Sequence, residues 1–225
     1  MALGKLPPTL FSTYERILEN VEASNAHVKT LVQRSLLLLV LVPHIRLRLN
    51  ELCEAVSVPD DADTFEEDEV IDEMEIRFWC SSLVRTSLDG SALEFAHYTA
   101  QQFLCEVCLT HPTLNFYHVS HEKTRLLLGQ VCLRYITFKN HERYPEANDS
   151  EISYISNRNS SRPLYEYAAI GWRTCVIDLL ENDSISRLLI DLFDTRKSAS
   201  FQAWALELIR HCLVNKKREV HSRYT

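Results

Sequence analysis

Apolar residues recur along most of this chain at intervals of three and four, the spacing that sets them on one side of a helix. Tyr14, Ile17, Leu18 and Val21 form the first stripe, and Ser12 with Glu15 has capping-box spacing at its start. A second helix is predicted from about Asn25, through Val28, Leu31 and Val32, into the apolar run Leu36 to Val42, with Pro43 as its stop. Ile45, Leu47 and Leu49 alternate with Arg46 and Arg48 as a short extended segment. Leu49, Leu52, Cys53 and Val56 then stripe a third helix that ends at Pro59. After a polar stretch, Ile76 to Leu83 reads as a buried helix end running into a strand. Ser87-Leu88-Asp89-Gly90 is the strongest hairpin turn in the chain, because Asp-Gly supplies the positive φ angles that such a turn requires.

The period changes again within Leu93 to Leu104. Leu93, Phe95 and His97 alternate with Glu94 and Ala96 as a strand, and Thr99 with Gln102 has capping-box spacing for a helix. Further on, Ser120 is placed to cap a helix with Leu126, Leu127, Val131 and either Leu133 or Tyr135 on its inner face. Asn140 to Ser161 mixes Asn, Ser, Glu and Arg with few apolar residues and reads as a polar loop. Pro163 opens the next helix, striped by Leu164, Tyr167, Ala168, Trp172, Val176 and Leu179. Ile185 to Phe193 and about Phe201 to Val214 follow, and Lys216-Lys217-Arg218 begins a basic tail. Three helices, a two-stranded hairpin and more helices predict a mainly α fold, with the hairpin as the wing of a winged helix and a helical bundle after it.

Composition narrows the classes. Only four glycines occur in 225 residues, which opposes a sandwich or barrel built on many turns. A formal charge of −7 opposes general attraction to nucleic acid or an anionic membrane. The longest apolar run, seven residues at Leu36 to Val42, falls far short of the roughly 20 that a membrane span needs. Seven cysteines scattered through apolar stretches fit reduced thiols and a cytoplasmic setting better than a disulfide framework. Ten of the sixteen residues from Asp60 to Glu75 are acidic, yet they lack EF-hand spacing and its central glycine, so this is a solvated segment rather than a calcium loop.

Candidate chemistry is sparse. His97 lies beside a predicted helix start, where exposed N–H groups and the helix dipole favour a negatively charged ligand. Cys105, Cys108 and His111, with His118 and His121 downstream, contain half of a zinc pattern, but the partners lack finger spacing and no metal site is expected. The third helix carries Glu51 and Glu54 and no basic residue, which opposes DNA phosphates. Neither a nucleophile elbow nor a Gly-x-x-x-x-Gly-Lys-[Ser/Thr] loop is present, so no catalytic constellation can be read.

One ordered set of motifs runs over roughly residues 3–175. It comprises Leu6-Pro7-Pro8-Thr9-Leu10 with Tyr14-Glu15-Arg16-Ile17-Leu18, then Leu49-Asn50-Glu51-Leu52-Cys53-Glu54-Ala55-Val56, then Cys80-Ser81-Ser82-Leu83-Val84. Phe95-Ala96-His97-Tyr98-Thr99 with Phe103-Leu104 follows, and Pro163-Leu164-Tyr165-Glu166-Tyr167-Ala168-Ala169 with Trp172 completes it. In order and spacing the set resembles the segment after the nucleotide-binding domain of fungal NACHT–ankyrin proteins of the STAND class, which are NLR-like NTPases. It is also similar to the winged-helix domain family named after GPI inositol-deacylase. The resemblance implies a winged-helix domain and a helical connector that leads to repeats. It also implies that His97 approaches the β-phosphate of ADP held by the neighbouring NACHT domain. Where the family has Arg-Pro-Leu-Thr-Leu before the third helix, this chain has Ile45-Arg46-Leu47-Arg48-Leu49, without the proline and the threonine cap.

The resulting expectation is a linker at 1–11, a winged-helix domain at 12–110, a connector helix at 111–140, a polar loop at 141–161, a helical segment leading toward repeats at 162–215 and a basic tail at 216–225. The expected role is non-enzymatic: a regulatory and coupling module of a signalling NTPase, with ADP or ATP held by an upstream domain and no cofactor in this chain. Its expected partners are that NACHT domain, a repeat domain and other proteins, with self-association where apolar residues are left exposed. The competing reading is a freestanding interaction module or truncated paralogue, and a DNA-binding winged helix comes behind both.

Overall fold

The structure is a computed structural model, which describes residues 8–40, 46–141, 151–194 and 199–222. The fold is mainly helical with one small antiparallel sheet, as the hydrophobic pattern predicts. The described residues divide into two compact units, Met1–Ser57 with Val70–Leu127 and Val58–Glu69 with Leu128–Thr225. The first unit therefore runs past the boundary predicted at 110, and the predicted solvated loop belongs partly to the second.

In the first unit α1 spans Pro8–Glu22 and begins a turn earlier than the Ser12 capping box predicts. A proline lacks the N–H that a first-turn residue would leave unpaired, so Pro8 can open the helix by itself. Residues 8–11 of the expected linker are thus its first turn. Helix α2, Ala26–Leu39, starts where predicted, with Asn25 Oδ1 accepting the Val28 N–H at 3.0 Å. It ends at the Val40 cap; Pro43 and Ile45 lie outside the described residues. Helix α3, Leu49–Ser57, has no threonine at its start. Glu51 Oε2 instead accepts the Arg48 N–H at 2.6 Å, which is one half of a capping box, and the Leu49 N–H reaches the Ser91 carbonyl at 2.9 Å.

Helix α4, Glu73–Cys80, is capped by Asp72 and leads into β1, Val84–Thr86, which pairs with β2, Leu93–Phe95. Gly90 has φ +72°, whereas Asp89 is not in the left-handed region, so only one of the positive φ angles expected of Asp-Gly is present. Asp89 closes the turn by accepting from the Ser87 hydroxyl at 2.6 Å and the Ser91 N–H at 3.1 Å, bonds that hold its carboxyl below the usual carboxylate range. The sheet passes through Ala96 and His97 into α5, Tyr98–Gln102, a π-helical turn at Phe103–Val107 and α6, Cys108–Thr110. Leu18, Val32, Leu36, Ile76, Leu83, Phe103 and Leu104 are completely buried in this unit.

Helix α7 covers His121–Thr137, starting after Ser120 as predicted, but 111–120 is not helical in the α sense, so the expected connector begins ten residues late. Leu128, Val131, Cys132, Leu133, Tyr135 and Ile136 line its buried side, whereas Leu126 and Leu127 are only half-buried. In the second unit the predicted polar loop is corrected over Glu151–Ser161, which forms α8. The rest of that stretch beyond His141 lies outside the described residues. Helix α9 spans Leu164–Val176, α10 spans Asp183–Phe193, and α11 spans Ala199–Ser222, so the tail is helical as far as Ser222. Trp172, Phe193, Phe201 and Trp204 pack ring on ring at centroid separations of 5.5–6.3 Å and tie α9, α10 and α11 together. Phe65, from the acidic segment, is buried in the same unit against Phe138 at 5.7 Å and Tyr135 at 5.9 Å.

Candidate functional site

The hairpin brings the chain to His97. The Ala96 N–H donates to the Leu83 carbonyl at 3.0 Å, so strand pairing continues one residue beyond β2, and His97 follows with extended φ and ψ of −152° and 153°. Its carbonyl accepts the Ala100 N–H at 3.0 Å, and its ring Nδ1 accepts the Thr99 N–H at 3.3 Å. His97 is therefore the N-cap of α5. This corrects the prediction that Thr99 caps the helix with a hydroxyl while His97 stands beside open amides. An imidazole nitrogen can take the cap's place because it offers a lone pair at the reach of an Asn or Asp oxygen.

Thr99 has a different task. It is completely buried, and its Oγ1 lies 3.0 Å from His97 Nδ1 and 2.8 Å from the hydroxyl of Tyr14, itself 5% exposed on α1. The His97 ring is at the surface and lies 4.4 Å from the ring of Tyr98, which is 55% exposed. Two aromatic rings are thus presented together at the strand-to-helix junction. Tyr14 and Thr99 were legible in the sequence as a stripe residue and a cap. Nothing in it signals their hydrogen bond, because 85 residues separate them.

The glutamates of α3 have structural roles. Glu51 caps the helix, Glu54 is buried, and Arg46 pairs with Glu94, which also holds Arg85 across the sheet at 2.8 Å. Of the cysteines and histidines that follow, His118 bonds the backbone of Cys105. Cys108 is buried, with desolvation pushing its thiol up to about 12, and His111 Nδ1 accepts the N–H groups of Thr113 and Leu114. Among the described residues no group of three or more His, Cys, Asp or Glu side chains is placed to hold a metal ion. No helix there is long and apolar enough to cross a membrane.

Concave features are present among the described residues of the second unit. A pocket of about 350 Å³ is lined by Asp63, Arg134, Phe138, Lys139, Leu188 and Asp191, with Lys139 paired to Asp63 at 2.5 Å. A shallower apolar groove of about 570 Å³ follows the C-terminal half of α9, where Ile177 and Leu180 are 68% and 55% exposed. Comparison of the chain with protein families, curated proteins and solved structures returns no match.

Proposed function

We propose that this chain is a non-enzymatic regulatory and coupling module of a STAND-type NACHT NTPase, a winged-helix domain and helical connector that relay nucleotide state toward downstream ankyrin-type repeats. The observation that carries the reading is the junction itself. Three helices and a short fourth lead to an antiparallel hairpin, and the strand leaving it ends on a surface histidine that caps the next helix. A side chain so placed can meet a phosphate brought by another domain and lose it when that domain turns away. In this reading ADP or ATP belongs to an upstream NACHT domain, supplied in the same polypeptide or by a partner, in the cytoplasm of a fungal cell.

The test joins the chain to a NACHT domain of the family and follows release of bound ADP. His97→Ala is expected to speed release about tenfold, the equivalent of roughly 1.4 kcal/mol, near the lower end for a hydrogen bond to a charged group. Unchanged retention in a folded variant removes the proposal.

The exposed apolar groove on α9 favours a second reading, a freestanding protein-interaction module that can also self-associate. Sedimentation of the purified chain tests that self-association. A dimer or larger species that Ile177→Asp returns to monomer supports the second, and a monomer at all accessible concentrations removes self-association.

A further inference from the structure

We infer that Tyr14 and Thr99 form a buried hydroxyl chain that positions His97 and holds it as an Nε2–H donor, so that its ligand is an oxygen acceptor of the phosphate type rather than a metal cation. The inference rests on the reading of His97 as a phosphate contact, and it states how that contact is made.

A backbone N–H can only donate. The Thr99 N–H points at His97 Nδ1 from 3.3 Å, so Nδ1 must present its lone pair there. A proton on Nδ1 would face the amide hydrogen and open the cap. The hydroxyls then have one arrangement in which every donor is used: Tyr14 donates to Thr99 Oγ1 across 2.8 Å, and Thr99 donates to Nδ1 across 3.0 Å. The reverse direction, Nδ1–H to Oγ1 and Oγ1–H to Tyr14, puts the ring proton against the Thr99 amide. With Nδ1 spoken for, the proton of a neutral imidazole sits on Nε2, the nitrogen with no described hydrogen bond.

The chemical consequence is selective. An Nε2–H group offers a hydrogen to a phosphate or carboxylate oxygen, whereas a metal ion needs the lone pair that this tautomer does not present at Nε2. Thr99 and Tyr14 are positioning residues here. Both are shielded from water, Thr99 completely, so the hydroxyl chain does not exchange its partners with solvent. The Tyr14 ring is braced against Phe103 at a centroid distance of 5.6 Å, which ties the direction of its hydroxyl to the core.

The experiment is nitrogen-15 NMR of the histidine side chains in the full chain, without nucleotide, at a pH where His97 is neutral. The Nε2–H form of His97 is expected to exceed Nδ1–H by at least about tenfold. Thr99→Ser is expected to keep that ratio. Thr99→Val, which keeps the amide but removes the hydroxyl, is expected to lower it about fivefold, the worth of roughly one neutral hydrogen bond. An even mixture or a majority of Nδ1–H in the unaltered chain overturns the inference and requires no variant. A ratio in folded Thr99→Val equal to that of the unaltered chain overturns the role given to the hydroxyls. The measurement uses no NACHT domain, so a failed ADP-retention test would remove the phosphate ligand and leave the hydroxyl chain and the tautomer standing, whereas an Nδ1–H majority would remove those and leave ADP retention to be read by itself.

Discussion

Glu207 is the most exacting side chain of the second unit. It is completely buried on α11 and accepts from Arg158, from Arg210 Nε at 2.7 Å and from Asn159 at 3.3 Å. Arg158 lies 3.7 Å over the ring of Tyr165, and Arg210 also reaches Glu166 at 2.7 Å. Removing one member of such a set leaves charge buried without its counter-ion. Glu207→Ala is expected to lose about 3–5 kcal/mol of unfolding free energy in urea titration, and the Arg158→Met/Glu207→Leu pair is expected to recover most of it. His141 makes a separate prediction. Burial pushes it down to about 4, against the Tyr135 carbonyl that accepts from Nδ1 and with Arg162 and Arg158 adding to the shift. A histidine in the unfolded chain binds its proton near 6.5, so between those values the unfolded state holds more protons. Stability is thus expected to fall as pH drops from about 6.5 to about 4, by up to about 3 kcal/mol. Unfolding midpoints measured from pH 7 to 4.5 check this, and His141→Asn is expected to flatten that limb.

The packing of α7 on α9 depends on a residue without a side chain. A Cβ at Gly129 would stand 2.7 Å from Val176 Cγ1, and the valine is short and buried, so it cannot swing away. Gly129→Ala is expected to cost about 1–3 kcal/mol through overpacking, outweighing the better helix propensity of alanine, and to lower the melting temperature accordingly. Helix α8 shows the opposite case, an element whose local sequence argues against it. Asn157, Asn159, Ser160 and Ser161 are poor interior helix residues, and the polar composition of 140–161 predicts a loop. The helix exists because Ile155 and Arg158 are buried, the latter on a carboxylate 49 residues away. The hairpin needs no such help, since Asp89 and Gly90 set its turn from within.

The chain order of the molecule is not its packing order. Residues 58–69 leave the first unit and return to it, and they pack with the second through Phe65 and through the Lys139 N–H, which donates to the Asp63 carbonyl at 2.9 Å. A fragment starting at residue 128 is therefore expected to be missing part of its core. Phe65→Ala in the full chain is expected to cost about 3–5 kcal/mol of the second unit's stability, read as a lower unfolding midpoint of Trp172 and Trp204 fluorescence. A midpoint unchanged within error would show that the acidic segment is not held by its phenylalanine.

The sequence by itself determined the helical class, the Asn25 and Ser120 starts, the hairpin with its Asp-Gly turn, and His97 as the residue at the strand-to-helix junction. Each of these is fixed by interactions within a turn or two of chain, and the residues that make them are neighbours in the sequence. Tertiary structure alone decided that His97, not Thr99, caps α5, that Tyr14 reaches Thr99, that α8 is a helix, and that Phe65 carries an acidic loop into a distant core. In each case the deciding partner lies on another element or the backbone angle depends on one. Burial then sets the outcome, because polar groups removed from water must find partners wherever the fold supplies them.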